Sequence, residues 1–218
     1  MGTLHLLTKE QQTIFDEIVK NDYFRKQFYF TGGTALSAVY LHHRYSDDLD
    51  IFSENTLNNQ TIFSLIQEWS KKHDFTFQSR FVEVTYIFDL LFSNNTQLKV
   101  DFSYYPYKRI EKGNTTEGFN IDSLNDIAIN KVVTIQQRND VKDFVDLYYL
   151  LQDFSLWDLI HGVKEKFNIE IDPFLLATDF LKVEDFTFLP RMIKPLTLDE
   201  LKSFYRLRAK DLGEQSIF

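Results

Sequence analysis

The chain has 218 residues, 44% hydrophobic and 16% aromatic, which supports one domain or two small ones and argues against a disordered chain. A formal net charge of −8 gives no overall basic signature of nucleic-acid binding, although a local basic patch is compatible with an RNA partner. The absence of cysteine excludes disulfides, thiolate zinc sites and cysteine nucleophiles.

The N-terminal MGTLHLLTKEQQ lacks a charged-then-apolar signal pattern, and no segment approaches the roughly 18 uninterrupted apolar residues of a membrane span. Met1-Gly2 is followed by Leu6 where a myristoylation motif wants Ser or Thr. The expectation is a soluble, cytoplasmic protein with no membrane partner.

Thr8 to Gln11 has capping-box spacing, and Ile14, Phe15, Ile18 and Val19 follow at helical period, predicting a helix to about Phe24. Phe28–Thr31 reads as a short buried strand stopped by Gly32-Gly33, and Thr34–Leu41 as a helix. His42–Asp47 reads as a polar turn and Asp48–Phe52 as a strand. Gln60–His73 is an amphipathic helix carrying Ile62, Phe63, Leu65, Ile66 and Trp69. Strands are expected near Phe75–Phe81, Val82–Phe92 and Gln97–Tyr104, the last two separated by the turn Ser93–Thr96. Tyr105–Asn120 reads as a polar connection, after which helices are expected over 123–137, 141–153, 155–167, 172–182 and 197–210. The fold class is α+β: a mixed sheet with flanking helices, then a helical half from about residue 121.

The chemistry concentrates in a few places. Gly32 and Gly33 open a helix where backbone N–H groups can approach phosphates. Asp48 and Asp50, two residues apart on a strand-like segment, project to one face and suit hard divalent cations. In Leu98-Lys99-Val100-Asp101-Phe102-Ser103, Asp101 faces away from the apolar pair; a neighbouring strand would bring it to the two earlier carboxylates, enough for two Mg²⁺. The bland alternatives are a DDLD turn with solvated carboxylates and an exposed edge strand.

Lys131 lies in an apolar stripe with Leu124, Ile127, Ala128 and Ile135. Such a lysine needs an anion, for which a triphosphate would serve, or a path to solvent along its stem. Asp143 and Asp146 follow at i and i+3 on the next helix; the helix dipole suits Asp143, whereas Asp146 sits deeper beside Leu147 and Leu150. Either aspartate can orient Lys131 or Arg138, or act as a base. Arg44 and Arg138 are candidates for a phosphate clamp or for pairing with an aspartate. His42-His43 lacks the spacing of a zinc site, and no GxSxG, Walker A or Rossmann glycine pattern occurs.

Together FTGGTAL, HRYSDDLDIF, LKVDFSYYP and NKVVTIQQRNDVKDFVDLYYLL resemble the AbiEii/AbiGii-type abortive-infection nucleotidyltransferase family, over roughly residues 28–151. The resemblance implies a polymerase-β-type nucleotidyltransferase core over 1–120 and a helical domain over 121–218 that completes the nucleotide cleft. Carried over by motif, Gly32, Gly33 and Thr34 cradle the triphosphate and Lys131 is the family's lysine at the nucleotide; Arg44, Ser46 and Arg138 are further nucleotide-binding candidates. Asp48, Asp50 and Asp101 hold Mg²⁺, and Lys131 with Asp143 or Asp146 completes the catalytic set. The wider superfamily's Gly-Ser pair is Gly32-Gly33 here, which loses a hydroxyl unless Thr34 replaces it.

The implied reaction moves an NMP from an NTP to a hydroxyl acceptor, a tRNA 3′ end or a protein, as the toxin of a toxin–antitoxin or phage-defence system with a cognate antitoxin. Candidate acceptor contacts are Lys99, Lys108, Arg109 and Lys112 interleaved with Tyr104, Tyr105 and Tyr107, and a second cluster of Lys202, Arg206, Arg208 and Lys210. The competing expectations are a small-molecule nucleotidyltransferase with an acidic acceptor pocket, a nucleotide-binding module without turnover, and a structural interaction protein.

Overall fold

The computed structural model describes residues 6–215; the reading of Met1-Gly2 lies outside them. The described residues form two compact units, one drawn from residues 6–40 and Ser46–Ser123, the other from Leu41–Tyr45 and residues 124–215. The division at Ser123 falls three residues beyond the expected one, and the short segment Leu41–Tyr45 goes to the second unit.

In the first unit, α1 (Lys9–Lys20) opens with the capping box: Thr8 Oγ1 accepts from the Gln11 N–H, and Gln11 Oε1 accepts from the Thr8 N–H. The predicted single helix to Phe24 is two helices. Asn21 ends α1 and caps α2 (Asp22–Gln27), its side chain accepting from the Tyr23 N–H. The strands are β1 (Tyr29–Thr31), β2 (Leu49–Ser53), β3 (Phe75–Val82), β4 (Thr85–Phe92), β5 (Gln97–Tyr104), β6 (Thr115–Thr116) and β7 (Phe119–Ile121). They form one mixed sheet in the order β3-β4-β5-β2-β1-β7-β6, with β2/β5 and β1/β7 parallel. The hairpin β6–β7 occupies part of the connection expected to be irregular.

Period-two alternation sorts this sheet into an apolar face and a chemical face. Leu49 and Ile51 of β2 and Val100 and Phe102 of β5 are buried. Phe24 stacks on Phe102 with ring centroids 5.2 Å apart, and Phe15 lies 4.8 Å from Phe30, so α1 and α2 cover the apolar face. Trp69 of α4 (Asn59–His73) joins the same cluster through Phe24. Asp50 of β2 and Asp101 of β5 alternate with these residues and point the other way.

The helix predicted from Thr34 begins two residues earlier, as α3 (Gly32–Ala35), and widens into a π-helical stretch, Leu36–Leu41. The second unit is helical: α5 (Leu124–Gln137), α6 (Val141–Leu150), α7 (Leu156–Phe167), α8 (Pro173–Leu181) and α9 (Leu198–Gln215). α5 packs on α6 and α7, and α8 on α9. Among the described residues no helix is long and apolar enough to cross a membrane.

Candidate active site

In the sheet unit, the parallel register sets Asp50 directly beside Asp101, and antiparallel pairing sets Thr31 opposite Asp50. Gly32 follows at φ +73, a conformation that L side chains rarely adopt. A Cβ there would lie 2.0 Å from Asp50 Oδ2, so the carboxylate occupies space that only glycine leaves open. Thr34 and Ser46 are engaged locally. The Thr34 hydroxyl is buried and donates to the Asp48 carbonyl, and the Ser46 carbonyl accepts from Gln11 Nε2 at 2.9 Å. Thr34 therefore braces the entrance to β2.

Lys99 stands among the carboxylates. Its Nζ lies 2.6 Å from Asp101 Oδ2 and 3.9 Å from Asp48 Oδ2. This corrects its expected place in an acceptor-binding basic patch. Burial pushes the Asp101 carboxyl above its ordinary range even though Lys99 opposes the rise. Burial works against the Lys99 charge too, but Asp101, Asp48 and Asp50 outweigh it and raise its pKa.

The donor chemistry fits a hard divalent ion. Asp101 Oδ1 is buried without a hydrogen-bond partner, and all three side chains offer carboxylate oxygens. Among the described residues no three Asp, Glu or His side chains are placed to hold a metal ion together. A Mg²⁺ ion here would rest on the Asp50–Asp101 pair, with substrate phosphates and water completing its shell.

In the helical unit, Lys131 of α5 is 6% exposed and does not reach solvent along its stem. Its Nζ lies 2.7 Å from Asp143 Oδ1 and 2.6 Å from Asp146 Oδ2. Arg138 completes Asp143, its Nε donating to Oδ2 at 2.7 Å. Arg44 grips Asp146 with two bonds, Nε to Oδ1 at 2.7 Å and Nη2 to Oδ2 at 2.8 Å. His43 Nε2 lies 2.7 Å from the same Oδ1. Asp146 is fully buried; its burial opposes ionisation, but Lys131 and Arg44 hold the carboxyl well below the usual range. Lys131 is likewise held charged by Asp146 and Asp143 against its own desolvation. His43 shifts the other way, because burial outweighs Asp146 and lowers its pKa.

The expected polar turn at His42–Asp47 is thus corrected, since His43 and Arg44 are core residues. The segment is pinned by its backbone. The His43 carbonyl accepts from Ile193 and Lys194 N–H at 2.8 and 3.0 Å, and the Tyr45 N–H donates to the Arg191 carbonyl at 2.9 Å. Arg44 is spent on Asp146 instead of standing open as a phosphate clamp. The histidine pair makes no metal set. Of the basic candidates, Lys108 and Lys112 are exposed, while Arg109 lies 4.4 Å over the Tyr29 ring and pairs with Glu54. In the C-terminal cluster, Arg206 pairs with Glu184, Lys202 donates to the Glu184 carbonyl, Lys210 lies 3.7 Å from Glu214, and Arg208 sits 5.1 Å over the Phe204 ring. These charges are thus engaged by partners on or beside their own helix.

Residues 15–204 match the family described as the nucleotidyl transferase AbiEii toxin of type IV toxin–antitoxin systems. The chain belongs to the AbiEii family. It is therefore a nucleotidyltransferase of the toxin type. An uncharacterised protein of Aquifex aeolicus is 33% identical over 190 residues, covering 82% of this chain and 84% of the relative. Two solved structures share the fold. JHP933 of Helicobacter pylori matches with 22% identity and a TM-score of 0.54, covering 96% of each chain. MenT4, a nucleotidyltransferase toxin of Mycobacterium tuberculosis, matches with 14% identity and a TM-score of 0.51, covering 93% of this chain and 82% of that one.

In this AbiEii protein, sequence reasoning left His43 without a role and gave Lys99 a different one from the ion pair it makes with Asp101. His43 gave no signal, because its partner Asp146 lies 103 residues away. Lys99 had one: it precedes Asp101 by two residues on the same face of β5, the spacing at which strand neighbours pair.

Proposed function

We propose that the protein is a Mg²⁺-dependent nucleotidyltransferase that moves an NMP from an NTP to a hydroxyl on an RNA 3′ end, such as that of tRNA, or on a protein, and that a cognate antitoxin restrains it. The observation that carries this reading is the register of Asp50 beside Asp101 at Gly32, with a buried Asp101 oxygen lacking a donor. In the reaction the acceptor hydroxyl passes its proton to solvent water, its oxygen bonds the α-phosphorus, and the bond to the leaving pyrophosphate breaks. Asp50 and Asp101 would hold the metal, with Asp48 beside them, and the bound ion would supply Lewis-acid charge at the phosphates. Gly32 and Gly33 let the backbone approach the triphosphate. In the helical unit Lys131 and Arg138 are the charges assigned to nucleotide binding, and Asp143 and Asp146 act as positioning residues that hold Lys131. The nucleotidyltransferase core is assigned to 1–120 and the helical domain to 121–218, with a cytoplasmic site of action.

An RNA acceptor is favoured by the exposed Lys108 and Lys112 near the exposed ring of Tyr107, a mixture that suits backbone contact and base stacking. A second reading, a small cationic acceptor, is favoured by a groove of about 670 Å³ lined by Asp47, Asp48 and Asp89 together with Lys99. Incubation with each α-labelled NTP and Mg²⁺, with total tRNA, protein extract or small-molecule pools as acceptors, decides between them. Label in RNA or protein supports the first reading. Label confined to small molecules replaces it with the second, and nucleotide binding without any transfer leaves a non-catalytic binding module.

A further inference from the structure

Asp101 combines two features. Its Oδ2 accepts from Lys99 Nζ at 2.6 Å, while its Oδ1 is buried with no donor at all. The residue is 8% exposed, so water does little to relieve that oxygen. Lys99 precedes it by two residues on β5, so both side chains leave the same face of the sheet. The ammonium also lies 3.9 Å from Asp48 Oδ2 and feels the charge of Asp50. Lys99 is therefore the cation hydrogen-bonded to the acidic centre, with the Arg80 charge also acting on Asp101.

Its stem explains how it can leave. The Lys99 side chain is 34% exposed, against 12% for Asp101, so it enters from the open side of the sheet. Its cross-strand neighbour on β4 is Asp89, a carboxylate 43% exposed that pairs with Arg80. A lysine pushed off Asp101 thus has a wet, acidic neighbour within one strand spacing.

We propose that Lys99 is the resident counter-cation of the acidic centre: it holds Asp101 and Asp48 in place and is displaced toward Asp89 when a divalent ion loads. This rests on reading those carboxylates as metal ligands. Because the ion must compete with a covalently tethered ammonium, metal alone binds weakly. Phosphate oxygens arriving with the NTP tip the balance, so metal and nucleotide load together.

The test is Mn²⁺ binding to the full chain without nucleotide, followed by the paramagnetic resonance signal of the free ion. Lys99→Met removes the charge at similar length and tightens binding about tenfold, the worth of one charge-assisted contact. Lys99→Arg keeps the charge and stays within about twofold of the parent, as does Lys71→Met on the exposed end of α4, where solvent and salt screen the charge. Adding Asp101→Asn to Lys99→Met abolishes the gain. Thermal unfolding gives the second readout: Lys99→Met is less stable than the parent without metal and is restored by Mn²⁺. Unchanged or weaker binding by Lys99→Met overturns the proposal, as does an equal gain in Lys71→Met or a gain that survives Asp101→Asn. If Asp101→Asn alone weakens binding while Lys99→Met changes nothing, only the role of Lys99 falls. If no variant binds Mn²⁺, the metal reading of the carboxylates falls with it.

Discussion

The carboxylate of Asp50 fills the space that a side chain on Gly32 would need. The separation from an added Cβ is 2.0 Å, shorter than any tolerated contact, and the backbone there is already left-handed. Both facts tie the glycine to the acidic residue beside it. Gly32→Ala is expected to cost about 1–3 kcal/mol through backbone strain alone. By moving Asp50, it lowers transfer by about 100-fold or more. Chemical denaturation and transfer kinetics on the same preparation check both, and wild-type activity in the variant would break the link.

Asp146 and Lys131 are mutual partners of unequal consequence. Asp146→Asn leaves the buried Arg44 and Lys131 short of an anion, and breaking a buried pair in this way costs about 3–5 kcal/mol. In Lys131→Met, Asp146 keeps Arg44 and His43, and Asp143 keeps Arg138. It should therefore lose about 1–3 kcal/mol, less than Asp146→Asn, while losing transfer. Urea unfolding of the two variants ranks them, and the reverse order would contradict the network as described.

Acid should weaken the protein in two windows. His43 has a lowered pKa in the folded state, so from about pH 6.5 downward the unfolded chain binds a proton that the folded one refuses. Stability then falls with pH by up to about 1.4 kcal/mol per unit until His43 itself titrates. Asp143 and Asp146 also have lowered values, so their contribution is full above about pH 4 and is lost as pH falls through their folded values. Unfolding free energies of wild type and His43→Gln between pH 8 and 5 test the first window, where the variant's slope should be shallower.

These assignments differ in how well the sequence announced them. β5 has the bounds its alternation predicts, and Asp50 and Asp101 meet because their strands are neighbours, as the pattern suggested. The capping box at Thr8 was legible for the same reason: its signal is local. His43 and Arg44 were not legible. Two polar residue types after a helix read as a turn, and their burial depends on Asp146 and on a backbone bridge to Met192, both far along the chain. The break at Asn21 was misread although Asn is a strong N-cap, because the apolar period runs on through Phe24.

If RNA is the acceptor, Lys108→Ala with Lys112→Ala raises the apparent KM for RNA and leaves that for NTP unchanged. The dependence of RNA binding on salt should flatten by about 0.7 per phosphate contact removed in a log–log plot. An unchanged slope would remove this surface from RNA recognition.

The central claim is that the carboxylate pair at Gly32 supports transfer from an NTP. The most direct measurement is acceptor-dependent pyrophosphate release by wild type and Asp50→Asn, matched for folding by circular dichroism and for thermal stability. The account predicts release by the wild type with Mg²⁺ and a fall of at least about 100-fold in the variant, the scale expected when one transition-state contact is removed. Release by a folded Asp50→Asn at the wild-type rate would contradict it.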